Sequence, residues 1–226
     1  WCRQGYVGDG GAVTRARRRT AAVTALAATL LAFVTTTGSQ ARPAHPTSHL
    51  TVLAASSLTT VFPLIDRASR YSFAGSDTLA AQIRLGAPAD VFAAASSSIP
   101  DKLRAQGLVE KPVVFTTNKL VLVTPASNPA GINSVFDLRR LGIKLVVGAS
   151  TVPIGVYTRT ILKNLALTGV LSNVVSQETE VRSILGKVAL GEADAGFVYA
   201  TDAKTVASKV HVIRLPPRAQ PPIRYE

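Results

Sequence analysis

An α/β architecture is what this sequence predicts, and three observations carry the prediction. Beyond residue 49, short apolar runs alternate with stretches of helical periodicity. Serine or glycine recurs where a run of strand type hands over to one of helix type. Of the 226 residues, 47% are hydrophobic and 17% charged, a globular balance with enough apolar material for a sizeable core.

Taken in order, residues 50–55 read as a buried strand, after which Ser56 and Ser57 open a helix from Leu58 that Pro63 shortens or kinks. Residues 71–73 form a weak strand, and Gly75, Ser76 and Asp77 lead into a helix over 78–85 that stops at Gly86. A strand at 90–94 and a helix at 100–106 closed by Gly107 follow, then a strand at 119–123. Ser134 with Asp137 three residues on has the form of a capping box ahead of a short helix. Next come a strand at 144–148, the turn Val152-Pro153-Ile154-Gly155 and a helix through Leu165. A short strand at 173–175 precedes a helix at 181–190 with Val181, Ile184, Leu185 and Val188 on one face, and a strand at 195–198 closes the pattern. No internal repeat is visible.

Residues 1–41 read as an upstream extension and a secretory signal peptide. Arg15, Arg17, Arg18 and Arg19 precede an uncharged stretch at 21–34, and Ser39 and Ala41 suit a cleavage site. That stretch is shorter than the roughly 20 residues of a bilayer span. An exported protein is therefore expected, with residues 42–49 as a Pro/His/Ser-rich leader. The formal charge is +12, and without residues 1–41 it is +8, from 20 Lys+Arg against 12 Asp+Glu. The remaining cations are scattered, without a basic run interleaved with aromatics, so nucleic acid is not an expected partner. A positive exported protein still attracts anions.

Several chemistries are excluded. The single Cys2 rules out a disulfide scaffold, and His45, His49 and His211 form no cluster with metal-ligand spacing. There is no nucleophile elbow, no dinucleotide or phosphate-loop fingerprint and no paired carboxylate motif. What remains is a set of neutral donors at helix starts: Ser57, Gly75 with Ser76, Ile154 in its turn, and Val181. Backbone N–H groups with a helix dipole behind them form anion sites. Taken singly, each serine is an ordinary N-cap and Tyr199 an ordinary core aromatic; only the conjunction points to a ligand.

Five blocks carry a resemblance: residues 51–60 (TVLAASSLTT), 73–95 (FAGSDTLAAQIRLGAPADVFAAA), 117–125 (TNKLVLVTP), 147–157 (VGASTVPIGVY) and 189–203 (ALGEADAGFVYATDA). Together they resemble the periplasmic molybdate-binding proteins of molybdate ABC transporters, in the same order over residues 50–214. The resemblance implies a two-lobed periplasmic binding protein fold, each lobe a mixed sheet flanked by helices, with lobe 1 at 50–119, lobe 2 at 120–205 and a return segment at 206–226. It implies an oxyanion held by Ser57 and Ser76 from lobe 1, and by the Ile154 and Val181 main-chain N–H groups and the Tyr199 hydroxyl from lobe 2. It further implies no catalytic residue, no cofactor, no metal-cation site, molybdate or tungstate as ligand, a permease partner and a monomer.

Three departures from the family qualify the site. The segment between Ser57 and Ser76 is shorter by roughly eight residues, about two helical turns, which predicts a trimmed first lobe. Ile154 stands where the family has alanine, keeping the N–H but adding a branched side chain near the ligand. The chain ends at Tyr225 and Glu226, where the family continues with a strand and a closing helix, so the C-terminal part of lobe 1 is expected to be truncated. Alternatives are a receptor for sulfate, thiosulfate or phosphate, and a truncated ligand-sensing module. An enzyme using Ser57 or Ser76 as nucleophile ranks last, because no histidine lies in a matched motif to serve as base.

Overall fold

The computed structural model describes residues 49–226; the expected signal peptide and nearly all of the leader lie outside them. Three sheets organise the described chain. β1 (Thr51–Ala55) is the middle strand of a parallel sheet between β2 (Arg70–Ala74) and β3 (Val91–Ala93). Its side chains alternate as a strand requires. Leu53 packs with Leu79, Ile83 and Leu103 of α2 (Ser76–Arg84) and α3 (Ser98–Ala105), while Val52 and Ala54 join the main core on the other face. Between β1 and β2 the chain crosses over through a 3-10 turn at Ser56–Leu58 and the one-turn helix α1 (Phe62–Ile65). Pro63 sits in the first turn of α1, where its missing N–H costs nothing, so it starts this helix rather than breaking a longer one. Such a parallel crossover needs about a dozen residues, which 56–69 supply with little to spare, and Leu64 and Ile65 are left exposed.

The second sheet has five strands in the order β7 (Val174–Glu178), β6 (Leu145–Gly148), β8 (Ala195–Tyr199), β5 (Leu120–Pro125) and β9 (Val210–Arg214). β6 runs parallel to β7 and β8, whereas β5 is antiparallel to β8 and β9. β5 and β8 are buried along their whole length, matching their near-continuous apolar runs. Packed on this sheet are α4 (Pro153–Asn164) and α5 (Val181–Ala189), the latter through Val181, Ile184, Leu185 and Val188. α6 (Ala200–Thr205) follows β8 directly. The capping box forms as expected: Ser134 accepts from the Phe136 N–H, and Asp137 accepts from the Ser134 N–H at 2.9 Å.

A two-stranded antiparallel ribbon of β4 (Thr116–Asn118) and β10 (Ile223–Tyr225) lies where the chain passes between the sheets. Residues 206–226, expected to return to lobe 1, divide instead. β9 forms an edge of the five-stranded sheet, whereas β10 pairs with β4 and Glu226 exchanges two backbone bonds with Ala94 just past β3. β9 joins the second sheet because its backbone runs antiparallel to β5 over five residue pairs, from Val121 with Arg214 to Pro125 with Val210. No helix among the described residues is long and apolar enough to cross a membrane.

Candidate functional site

Parallel strands all point their carboxyl ends one way, and the loops that leave those ends build the site. Ser56 and Ser57 follow β1, Gly75 and Ser76 follow β2, Val152, Pro153 and Ile154 follow β6, Thr179, Glu180 and Val181 follow β7, and Tyr199 ends β8. All line one cavity of about 20 Å³, the scale of a single small ion and far below the several hundred Å³ of a site for an organic molecule. Ser57, Ser76, Ile154, Val181 and Tyr199, the five residues named from the sequence, are thus brought together. No lysine or arginine among the described residues lines the cavity; Glu180 is its one carboxylate, turned toward the Ser183 hydroxyl at 3.5 Å. A larger groove of about 800 Å³ beside β3 has mainly apolar walls, among them Phe62, Val91 and Phe115, and contains none of these five.

Among the described residues only the short helix after Ser134 carries a side-chain cap; α1 and α3, away from the cavity, begin uncapped like the helices that open on it. The first N–H groups of a helix have no intrahelical acceptor and are usually satisfied by a side-chain cap. Ser134 provides one far from the cavity. At α2, α4 and α5, with Gly75, Val152 and Glu180 as N-caps, no side chain caps the helix. Three sets of first-turn N–H groups, including those of Ser76, Ile154 and Val181, are thereby left at the cavity, with positive dipole ends behind them.

Close backbone approach makes this possible at two glycines. A Cβ on Gly155 would stand 1.8 Å from the Ala149 carbonyl oxygen, so only glycine lets α4 begin hard against the end of β6. Arg159, one turn on, donates to the Gly148 and Gly155 carbonyls at 2.8 and 3.1 Å and holds that turn. The extra bulk of Ile154 is absorbed there: its Cγ2 fills the space over Gly148 that a Cβ would need. A Cβ on Gly75 would meet the Thr179 carbonyl oxygen at 2.3 Å, bringing loops from the two main sheets together.

Hydroxyl accounting gives the site its polarity. The Ala95 N–H donates to the Ser76 Oγ at 3.0 Å, which occupies that oxygen as an acceptor and leaves its proton for another partner. The Ser57 Oγ lies 3.0 Å from the Tyr225 hydroxyl. The Tyr199 hydroxyl is buried and has no partner among the described residues, although a buried orphan of this kind costs about 1–3 kcal/mol. Burial, reinforced by Tyr225, Tyr157 and Asp202 nearby, holds the Tyr199 pKa well above its ordinary value, so it remains a protonated donor. Asp202, in the first turn of α6, is buried with its Oδ2 unpartnered; burial pushes its pKa up to about 7, with Arg182 partly opposing.

Residues that sequence reasoning missed are Asn118, Thr179, Glu180, Asp202 and Tyr225. Thr179 and Glu180 precede Val181 at the start of α5 and Asp202 lies in the first turn of α6, where carboxylates do not read as donors; Asn118 and Tyr225 stand at no helix start. Tyr225 in particular reaches Ser57 from the far end of the chain, a proximity that no local spacing encodes.

The chain matches, over residues 67–226, the family model described as bacterial extracellular solute-binding protein. It is 41% identical over 190 residues to the molybdate-binding protein ModA of Mycobacterium tuberculosis (strain ATCC 25618 / H37Rv), covering 78% of this chain and 72% of that protein. With the molybdate-binding protein ModA of Escherichia coli (strain K12) it shares 35% identity over 178 residues, covering 71% and 68%. Among solved structures, the periplasmic molybdate-binding protein of Azotobacter vinelandii superposes with a TM-score of 0.67 at 26% identity, covering 78% of this chain and 83% of that one. The fold is accordingly of the periplasmic binding protein type, and the chain belongs to the bacterial extracellular solute-binding proteins.

Proposed function

We propose that this protein captures molybdate outside the cytoplasm, accepts tungstate as well, and delivers the ion as a monomer to the permease of an ABC importer, without catalysis. The Tyr199 hydroxyl carries this reading: a protonated donor, buried and unpartnered, on a cation-free cavity of ion size. Molybdate is a fully deprotonated dianion at neutral pH and can accept from every donor in the wall. Each bond to a charged acceptor is about twice a neutral one, so uncapped N–H groups and hydroxyls hold it without a counter-cation.

A wall with many donors and a single carboxylate also confers choice. Hydrogen phosphate brings a proton that needs an acceptor, and an unmet polar group costs about 1–3 kcal/mol. Sulfate, with shorter bonds, leaves donors unreached in a cage of fixed size. Glu180 is the one observation favouring a protonated oxyanion, since its carboxylate could accept that proton, and its single bond from Ser183 at 3.5 Å leaves acceptor sites open. Titration calorimetry with molybdate, tungstate, sulfate and phosphate tests the reading. Tight binding of the first two and far weaker binding of the others is expected, and equal or absent binding of all four rejects it.

A further inference from the structure

We propose that Tyr225, itself oriented by Asn118, is a positioning residue that forces the Ser57 hydroxyl to act as a donor toward the bound anion. The inference rests on the oxyanion site described above and adds a residue outside the cavity wall. Four hydrogen bonds at the ribbon between the sheets determine it. Asn118 accepts through its Oδ1 from the Lys119 N–H at 2.9 Å, which fixes which way its amide faces. Its Nδ2 is then turned to the Thr201 Oγ1 at 2.9 Å and to the Tyr225 hydroxyl at 3.3 Å. An amide nitrogen only donates, so the Tyr225 oxygen accepts from it.

The phenolic proton must go elsewhere, and the remaining partner of that oxygen among the described residues is the Ser57 Oγ at 3.0 Å. With Tyr225 donating, the Ser57 oxygen is occupied as an acceptor and its own proton is released toward the cavity that Ser57 lines. The reverse polarity would strand the buried phenolic proton and turn a serine lone pair onto the anion. Burial first, and Asp202 and Tyr157 nearby, keep Tyr225 protonated, whereas its bonds to Ser57 and Asn118 pull the other way without reversing the shift. The ring is fixed by edge-on contacts with Tyr199 and Phe115, at centroid distances of 5.7 and 6.1 Å. Donors thus run from Asn118 through Tyr225 and Ser57 into the cavity, and aligned hydrogen bonds of this kind strengthen one another. The Ser76 hydroxyl, after the neighbouring strand β2, is polarised in the same sense by the Ala95 N–H.

A double-mutant cycle read by molybdate titration calorimetry tests the relay, using the wild type, Ser57→Ala, Tyr225→Phe and the double variant. Calorimetric stoichiometry reports the folded fraction separately from the dissociation constant, so partial misfolding does not mimic the effect. Tyr225→Phe alone should weaken molybdate binding about tenfold, and in the Ser57→Ala background by less than about twofold, because its influence passes through Ser57. An equal loss in both backgrounds means that Tyr225 acts by packing; the relay is then wrong and the molybdate site stands. Unchanged affinity in Tyr225→Phe likewise rejects the relay alone. Absent molybdate binding by the wild type, or a Ser57→Ala variant that binds as well as the wild type, overturns the relay together with the site it serves.

Discussion

Gly75 and Thr179 meet across the cavity so closely that a Cβ on the glycine would stand 2.3 Å from the threonine carbonyl oxygen. One lies after β2 in the first sheet and the other after β7 in the second. Asp77 and Thr151 make a second contact between the same two sides, with Thr151 Oγ1 3.4 Å from an Asp77 carboxylate oxygen. Gly75 has an ordinary φ of −59°, so the need for glycine is one of space and not of backbone conformation. Gly75→Ala is expected to prop the two loops apart. Overpacking of this sort costs about 1–3 kcal/mol, which predicts roughly 5- to 150-fold weaker molybdate binding. Calorimetry checks the affinity, and small-angle scattering with and without molybdate checks whether compaction is reduced.

Ser76→Ala and Tyr199→Phe should each weaken molybdate binding by about 1–3 kcal/mol through a lost donor. Their effects on the ligand-free protein should diverge. Removing the Ser76 hydroxyl strands the Ala95 N–H and lowers the melting temperature, whereas removing the unpartnered Tyr199 hydroxyl leaves it unchanged or raises it. Thermal melts without ligand, set beside titrations with it, separate the two roles. Equal destabilisation by both substitutions contradicts the assignment of Tyr199 as an idle donor awaiting an anion.

Much of this site could be read from one dimension because its parts are local. β1, β2 and β6 each end in a small residue or turn followed by a helix start, and that punctuation sits in the sequence itself. The remainder depends on relations that spacing does not carry. α6 begins directly after Tyr199, with no loop residue to mark a boundary. β10 is preceded by Pro216, Pro217, Pro221 and Pro222, residues that argue against a strand, and no strand is read there from the sequence; it forms one half of a two-stranded ribbon. Tyr225 is therefore invisible as a partner of Ser57 until the ribbon is folded. Pro63 was legible as a helix interruption, but its first-turn position makes it the beginning of α1.

Ile154→Ala tests whether the main chain, and not the side chain, serves the ligand at the start of α4. The substitution retains the N–H but empties the space over Gly148 that the Ile154 Cγ2 fills. Ile154 is 3% exposed, so the folded state should lose about 2–5 kcal/mol. Molybdate affinity of the folded fraction should change by less than about threefold, an offset of well under 1 kcal/mol. Denaturant unfolding measures the first quantity and calorimetry the second; a large loss of affinity at unchanged stability would place the isoleucine side chain itself against the ion.

Asp202 should make stability depend on pH around neutrality. Its carboxyl has a pKa of about 7 in the folded protein against 3.8 ordinarily, chiefly because burial disfavours the charged form. Between those values the folded state holds a proton that the unfolded state has released. Stability from this group is therefore fully present below pH 3.8, declines as the pH rises and is lost above 7. The full difference amounts to about 4 kcal/mol. Asp202→Asn, which cannot ionise, should flatten this decline and stabilise the protein at pH 8 more than at pH 5 in urea titrations. A bound dianion beside Tyr199 raises the cost of an ionised Asp202 further, so molybdate binding at pH 7 should take up a fraction of a proton. Calorimetry in two buffers of different ionisation enthalpy measures that uptake, and Asp202→Asn should abolish it. Uptake that persists in the variant would assign the proton to another group.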